Sequence, residues 1–149
     1  MNKVYKAKQL KRALEMFSQS LTDESKMMGI ADVYPKFDAD NKKYKVGDIF
    51  SYGVNSYNET QLYRVISEHI SSEDKLPDKA SDLYKKVGVD DKGNMVWIEP
   101  LDESDAYDEG DTALHNGELW KCVKAKNKKE PGLQGWEKVN IDVKKKSPN

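Results

Sequence analysis

The chain has 149 residues, of which 34% are charged and 37% hydrophobic, and its formal net charge is −1. This composition leaves little material for one large core, so we expect either one ordinary domain or two small modules. Because the net charge is close to zero, the chain has no strong overall electrostatic field that would attract nucleic acid or an anionic membrane. No apolar run is long enough to span a bilayer.

Two helices are predicted at the N-terminus. Apolar residues recur every three or four positions, which predicts an amphipathic helix from about residue 4 to 20. The stripe consists of Val4, Ala7, Leu10, Leu14, Phe17 and Leu21. Thr22 is a suitable N-cap for a second helix, which Pro35 ends. We expect residues 1–37 to form a helical hairpin for docking or oligomerisation, packed on itself, on the rest of the chain or on another copy.

Beyond residue 37 the pattern changes to short strand-like runs that are separated by Gly, Asn, Pro and Asp, as in small β modules. Three pairs of segments repeat: 44–48 with 107–111, 62–65 with 119–122, and 84–87 with 136–139. The second copy contains a predicted hairpin, because Asn116 and Gly117 suit the two positive φ angles of a tight turn.

The predicted fold is α+β, with the N-terminal helical hairpin followed by two small antiparallel β modules of about three strands each. The modules are predicted at 38–88 and 102–140, and residues 89–101 form a linker in which 95–98 is either a strand or a docking segment. The last residues, 141–149, are predicted to be a basic, flexible tail.

Aromatic residues recur at matching places in the two modules. Modules of this size are too small for a conventional core, so aromatic side chains must supply most of the buried surface. A core role is therefore favoured for six residues, with a ligand platform as the alternative: Tyr44, Tyr63, Tyr84, Tyr107, Trp120 and Trp136.

The repeats resemble the chitin-binding carbohydrate-binding modules grouped as types five and twelve, which occur on chitinases and on phage tail proteins. Residues 106–122, AYDEGDTALHNGELWKC, match the first half of the family pattern. Residues 65–87 match the second half and carry His69, Pro77 and Tyr84. The resemblance implies three-stranded mini-sheets with little helix in the modules, and sugar binding through exposed aromatic rings.

The sequence departs from the family where the sugar would bind. The family has a tryptophan two residues before the loop proline, whereas Lys75 and Lys129 occupy that position here. A lysine stem offers no flat apolar face, so affinity by the usual stacking mode is expected to be low or absent. Tyr52, Tyr57 and Trp97 are candidates to replace the missing ring, with a packing role as the favoured alternative for each. For a bound glycan we predict contacts on the loop faces of the two modules, at His69, Lys75 and Tyr84 and at Trp120, Lys129 and Trp136.

The arrangement of the whole chain resembles a type of phage tail protein from Gram-positive hosts. This resemblance implies a non-enzymatic, tail-associated protein of a phage or prophage that contacts a host cell-wall polysaccharide or chitin-like glycan. The alternative is a purely structural tail or baseplate adaptor that binds no sugar. Expected partners are other tail proteins and further copies of the chain through the N-terminal helices, with no nucleic acid and no membrane. The resemblance implies a location in the virion, or in the host cytoplasm before assembly. The first residues lack the apolar centre of a secretory signal.

Catalytic and metal-binding residues are not predicted. Cys122 is the single cysteine, and His69 and His115 show no spacing typical of a metal site or a catalytic triad. Six carboxylates cluster before and within the second hairpin: Asp102, Glu103, Asp105, Asp108, Glu109 and Asp111. We interpret them as a solvated acidic loop, since their spacing does not match a calcium-binding loop and a small module offers no deep cleft for a glycosidase. No cofactor is expected.

Overall fold

The fold combines helices with small antiparallel sheets, which confirms the predicted α+β class. The computed structural model describes residues 3–140, so the predicted tail at 141–149 lies outside the described residues. The chain divides into two compact units, Met1–Gly88 and Val89–Asn149. None of the helices within residues 3–140 has both the length and the apolar character needed to cross a membrane.

The first unit begins with two α-helices and a 3₁₀ turn: α1 is Lys3–Ser20, α2 is Glu24–Gly29 and the turn is Ala31–Val33. The N-cap of α2 is Asp23, whose carboxylate accepts a hydrogen bond from the Ser25 N–H at 2.9 Å. The prediction that Thr22 caps this helix is therefore wrong by one residue. The Asp23 carboxylate also interacts favourably with the positive end of the helix dipole, which a threonine hydroxyl does not.

Both helices are attached to the rest of the first unit. Met27 and Met28 of α2 are buried. Near the C-terminus of α1, the carbonyl of the buried Ser18 accepts a hydrogen bond from the Tyr34 hydroxyl at 2.7 Å. These contacts hold the end of α1 and the whole of α2 against the unit.

The middle of the apolar stripe of α1 is exposed, whereas the Val4 side chain lies outside the described part of the chain and Leu21, which follows the helix, is half-buried. The exposed fraction is 63% for Leu10, 45% for Leu14 and 57% for Phe17. The periodicity predicts a buried stripe, and the described part of the chain does not cover these three residues. Exposed apolar side chains along one side of a helix are typical of helices that dock on another surface.

Five strands complete the first unit: β1 is Lys43–Tyr44, β2 is Ile49–Val54, β3 is Thr60–Val65, β4 is His69–Ile70 and β5 is Tyr84–Lys86. The antiparallel sheet has the order β2-β3-β5, and β1 pairs separately with β4. The core between them consists of Tyr44, Phe50, Tyr63, Val65 and Tyr84. The predicted core role of the three tyrosines is confirmed, because all three are buried.

Three strands form the sheet of the second unit in the order β6-β7-β8: β6 is Thr112–His115, β7 is Glu118–Cys122 and β8 is Trp136–Lys138. The predicted β6–β7 hairpin is confirmed, with φ of 52° at Asn116 and 79° at Gly117. These two angles fit the mirror-image turn that suits the right-handed twist of a hairpin.

The core of the second unit consists of Trp97, Ala113, Cys122 and Trp136. Tyr107 and Trp120 are partly buried and pack against this cluster. The core prediction is thus confirmed for Trp136, which is 7% exposed. Tyr107 and Trp120 pack at the edge of this core and are only partly buried.

Hydrogen bonds at the start of each sheet match between the two units. The Gly47 N–H donates to the Val65 carbonyl at 2.9 Å, and the Gly110 N–H donates to the Cys122 carbonyl at 2.8 Å. Both glycines adopt positive φ, 97° and 98°, which an L side chain rarely adopts. The same backbone turn therefore precedes the main hairpin in both units.

The matching pattern also includes an extended segment before the first strand of each sheet. The Phe37 N–H donates to the Ser51 carbonyl at 2.8 Å, and the Trp97 N–H donates to the Leu114 carbonyl at 2.8 Å. Ser51 and Leu114 are each the third residue of their strand ladder. Trp97, which lies within the predicted linker 89–101, therefore pairs with the second sheet as Phe37 pairs with the first.

Candidate functional site

A groove with a volume of about 380 Å³ opens in the first unit. A volume of this size is in the range of small-ligand sites. Its lining includes three aromatic side chains, Tyr34, Phe37 and Tyr52, and three polar ones, Asp32, Lys36 and Thr60.

Local structure places these side chains along the groove. Asp32 belongs to the 3₁₀ turn, and Lys36 lies on the extended segment that bridges to Ser51 in parallel. Tyr52 comes from β2, where the pairing with β3 shifts between Ser51 and Val54. Such a shift changes the direction in which a strand presents its side chains, and it lies at the edge of the groove.

The Tyr52 ring is half-buried, and its orientation is fixed by two aromatic neighbours. Its centroid lies 5.6 Å from that of Phe37 at an interplanar angle of 83°, and 6.2 Å from that of Tyr63 at 70°. Edge contacts of this geometry are favourable for aromatic pairs. The groove therefore contains a preoriented aromatic ring that is partly accessible to a ligand.

Hydrogen-bonding groups stand beside this ring. The Thr60 hydroxyl donates to the Asp32 carboxylate, and Lys36 is exposed at the same groove. Burial raises the pKa of Tyr34, which keeps its hydroxyl protonated and able to donate to Ser18. An aromatic ring with a carboxylate, a hydroxyl and an ammonium group can stack on one face of a sugar ring and bond its hydroxyl groups.

In the first unit, the structure brings His69 and Tyr84 together but does not place Lys75 with them. The His69 Nε2 and the Tyr84 hydroxyl are 2.6 Å apart, with the rings perpendicular at a centroid distance of 5.0 Å. Tyr84 is 3% exposed, and burial raises its pKa to about 12. A ring this deeply buried serves the core, whereas Lys75 is exposed on the loop between β4 and β5.

In the second unit, Lys129 and Trp136 meet through a backbone contact. The Trp136 indole Nε1 donates to the Lys129 carbonyl at 2.8 Å, and Trp136 is buried while Lys129 is exposed. Trp120 is partly buried, with its indole Nε1 3.4 Å from the His115 carbonyl. This arrangement fixes the loop before β8 and leaves a lysine, not an aromatic face, on its surface.

Among the three candidate replacement rings, Tyr52 alone lines the groove. Tyr57 is 55% exposed, and Trp97 is 9% exposed in the second core. Sequence reasoning missed Asp32 and Thr60 as lining residues of the same groove, because these two residues are 28 positions apart and no local pattern joins them.

The second unit presents different chemistry at the equivalent position. His115 follows Leu114 as Tyr52 follows Ser51, and its ring stands 5.3 Å from Trp97 at 74°. The His115 Nε2 contacts the Glu130 carboxylate at 2.6 Å. The two units therefore share an edge contact between aromatic rings but carry different polar groups beside it.

The acidic loop of the second unit uses two carboxylates to cap its own 3₁₀ turn, Glu103–Asp105. Asp102 accepts hydrogen bonds from the Ser104 side chain and N–H, and Asp105 accepts them from the Asp102 and Leu101 N–H groups. These bonds lower the pKa of both carboxyls. Within residues 3–140, no three His, Cys, Asp or Glu side chains are grouped to hold a metal ion.

No protein-family model matches this chain, and no curated protein matches it at a significant level.

Proposed function

We propose that this chain is a non-enzymatic, tail-associated protein of a phage or prophage, and that it binds a host cell-surface polysaccharide through the groove at Tyr52. The observation that carries the proposal is the combination of a preoriented, partly exposed tyrosine with polar side chains in one groove. A pyranose presents apolar C–H groups on its face and hydroxyl groups at its rim, which these two kinds of group complement.

The fold supports this proposal at the level of the modules. We infer that the chain consists of an N-terminal helical hairpin and two β modules of the chitin-binding type. The matching hydrogen bonds at Gly47 and Gly110, and again at Phe37 and Trp97, favour a duplicated unit. The buried tyrosine and tryptophan cores favour small modules that depend on aromatic burial.

A binding role fits the groove better than hydrolysis does. A glycosidase needs two carboxyl groups that face each other across the scissile bond in different environments. The carboxylate that lines this groove is Asp32, and its oxygen already accepts a hydrogen bond from Thr60.

The test is retention of the whole chain on insoluble chitin and on purified Gram-positive cell walls. We expect Tyr52→Ala to reduce the affinity by at least about tenfold, which corresponds to about 1.4 kcal/mol. Tyr52→Phe should retain most of the binding, because it keeps the ring. The matched control is Tyr57→Ala, which removes an exposed tyrosine that does not line the groove.

Circular dichroism of each variant checks that the fold survives, since Tyr52 also packs against Phe37. A folded Tyr52→Ala variant that binds as well as the natural chain would contradict the groove as the glycan site. Absence of retention on every wall preparation would contradict glycan recognition itself.

A second role is favoured by the exposed stripe of α1. Leu10, Leu14 and Phe17 present apolar surface that the described part of the chain leaves open. Burial of such a stripe is what an assembly contact provides. We therefore also propose a structural role, in which α1 docks the chain onto another tail or baseplate component or onto further copies. This role is compatible with glycan binding and does not require it.

A further inference from the structure

The exposed stripe of α1 has the spacing of a coiled-coil seam. Ala7, Leu10, Leu14 and Phe17 follow one another at intervals of three, four and three residues, which places them at a and d positions of a heptad. All four side chains are exposed. Residues at a and d positions form the line along which one helix packs against another in a coiled coil.

The attachment of α1 leaves this seam open. Ser18 and Gln19 attach α1 to the rest of its unit, through the Tyr34 hydroxyl and through a 3.3 Å hydrogen bond from the Gln19 amide to the Ile49 carbonyl. Leu10 and Leu14 lie about one to two turns before these contacts. The helix is thus held at one end, and its apolar seam is available along the part that precedes Ser18.

The flanks of the seam are basic. Counting Ala7 as position a, Lys6 occupies g and Lys11 occupies e, and both side chains are exposed. Lys8 and Arg12 add charge further round the helix, and Glu15 is the one acidic residue of α1. A parallel pair of identical helices would therefore set Lys6 of one copy against Lys11 of the other, which is repulsive.

The helix dipole adds to this imbalance. The first turn of α1 contains no acidic residue, although the N-terminus of a helix favours negative charge. Lys6 and Lys8 stand near this positive end instead. Carboxylates supplied by a partner would compensate both the lysines and the dipole.

From this geometry we propose that the seam of α1 docks an amphipathic helix of another protein, one that has apolar a and d residues and glutamate or aspartate at its e and g positions. This inference rests on the structural role of α1 proposed above and names the chemistry of its partner. A second copy of this chain is the weaker occupant because of the like charges, and a lipid surface is the alternative that the experiment below distinguishes.

The experiment uses the whole chain and two synthetic helical peptides that share leucine at a and d. One peptide carries glutamate at e and g, and the other carries lysine there. Fluorescence anisotropy measures binding at low ionic strength. We expect the glutamate peptide to bind at least about tenfold more tightly than the lysine peptide, because the basic flanks attract the first and repel the second.

Variants of α1 distinguish the contribution of the apolar seam to peptide binding from that of its basic flanks. The double variant Leu10→Asp with Leu14→Asp should abolish peptide binding. Met16→Asp should retain it, because Met16 is also exposed, at 66%, but lies off the seam. Lys6→Glu should weaken the preference for the glutamate peptide, and it should promote self-association in analytical ultracentrifugation by pairing Glu at position 6 with Lys11 of a second copy.

Equal affinity for the two peptides would overturn the proposed acidic partner. Strong self-association of the natural chain through Leu10 and Leu14 would assign the seam to a second copy, and so would overturn this inference while leaving the structural role standing. Binding to anionic lipid vesicles that competes with the glutamate peptide, and that is tighter than peptide binding, would overturn it in favour of a membrane surface. None of these results bears on glycan retention, which is measured with the Tyr52 variants.

Discussion

At the scale of single residues, the Glu24 carboxylate connects α2 to the sheet of the first unit. One oxygen, Oε2, accepts a hydrogen bond from the Arg64 guanidinium at 2.8 Å, and the other, Oε1, accepts one from the Gly88 N–H at 2.7 Å. Arg64 lies on β3, and Gly88 follows β5. A single side chain thus joins three segments that are distant in the sequence.

Removal of this carboxylate should destabilise the first unit. We expect Glu24→Ala to lower the free energy of unfolding by about 2 kcal/mol, since hydrogen bonds to a charged group are worth about 1.5–3 kcal/mol and this side chain is 35% exposed. Glu24→Gln should cost less, because its amide oxygen still accepts from Gly88. Urea unfolding followed by circular dichroism measures both.

The control for Glu24 is Glu68→Ala. Glu68 forms an ion pair with Lys43 at 3.5 Å in which the two side chains are 58% and 63% exposed. Such exposed pairs contribute about 0–1 kcal/mol. Equal effects of the two alanine substitutions would show that Glu24 does not have the connecting role assigned to it.

At the scale of elements, the β6–β7 hairpin depends on its two-residue turn. Asn116 and Gly117 both adopt positive φ, which asparagine tolerates and glycine adopts freely. Apart from Gly117 and its two chain neighbours, no heavy atom would lie within 4 Å of a Cβ at this position. A substitution there is consequently penalised by backbone conformation and not by a clash.

Gly117→Ala should therefore lower the free energy of unfolding of the second unit by about 1–2 kcal/mol. Tryptophan fluorescence during urea unfolding measures the effect, because Trp97, Trp120 and Trp136 all lie in this unit. Asn116→Gly serves as the control, since it keeps the turn conformation, and it should change the midpoint little. An unchanged midpoint for Gly117→Ala would mean that the turn does not constrain the hairpin.

This hairpin also shows what local sequence can predict. The strands around Asn116 and Gly117 were predictable because turn chemistry and alternation are properties of adjacent residues. The groove was predictable only in part: Tyr52 stood out as a replacement ring, while Asp32 and Thr60 meet through tertiary packing. The exposure of Leu10 and Leu14 was likewise not predictable, because an amphipathic pattern does not specify which surface covers it.

At the scale of the whole molecule, the two units differ in the aromatic residues of their cores. Tyrosines at 44, 63 and 84 fill the first core, and burial raises the pKa of all three. The second unit carries Trp120 and Trp136 at the positions that match Tyr63 and Tyr84, and keeps a tyrosine, Tyr107, at the position that matches Tyr44. An indole does not ionise in this way. The two units should therefore respond differently to alkali.

We expect the first unit to lose stability selectively at high pH. An unfolded tyrosine ionises near its ordinary value of 10.0, whereas the pKa of Tyr84 in the fold is about 12. The unfolded state therefore binds fewer protons above pH 10.0. The stability due to protonated Tyr84 is complete below that pH, and it is lost as the pH rises through about 12.

Tyrosinate absorbance reports this transition, and tryptophan fluorescence reports the second unit in the same sample. Tyr84→Phe should shift the alkaline unfolding of the first unit to higher pH, and Tyr57→Phe, at an exposed position, should leave it unchanged. Simultaneous change of both signals would contradict the independent response of the two units.

The extended segments that contain Phe37 and Trp97 also bear on how further units can be added to such a chain. Each unit contains its own leading segment. After the last strand of each sheet, the Val87 N–H donates to the Leu62 carbonyl and the Val139 N–H donates to the Leu119 carbonyl. Insertion of a further unit between them would break none of the hydrogen bonds within an existing sheet. Added units of this design would leave an existing sheet intact, and the difference between Tyr52 and His115 shows that equivalent positions can carry different surface chemistry.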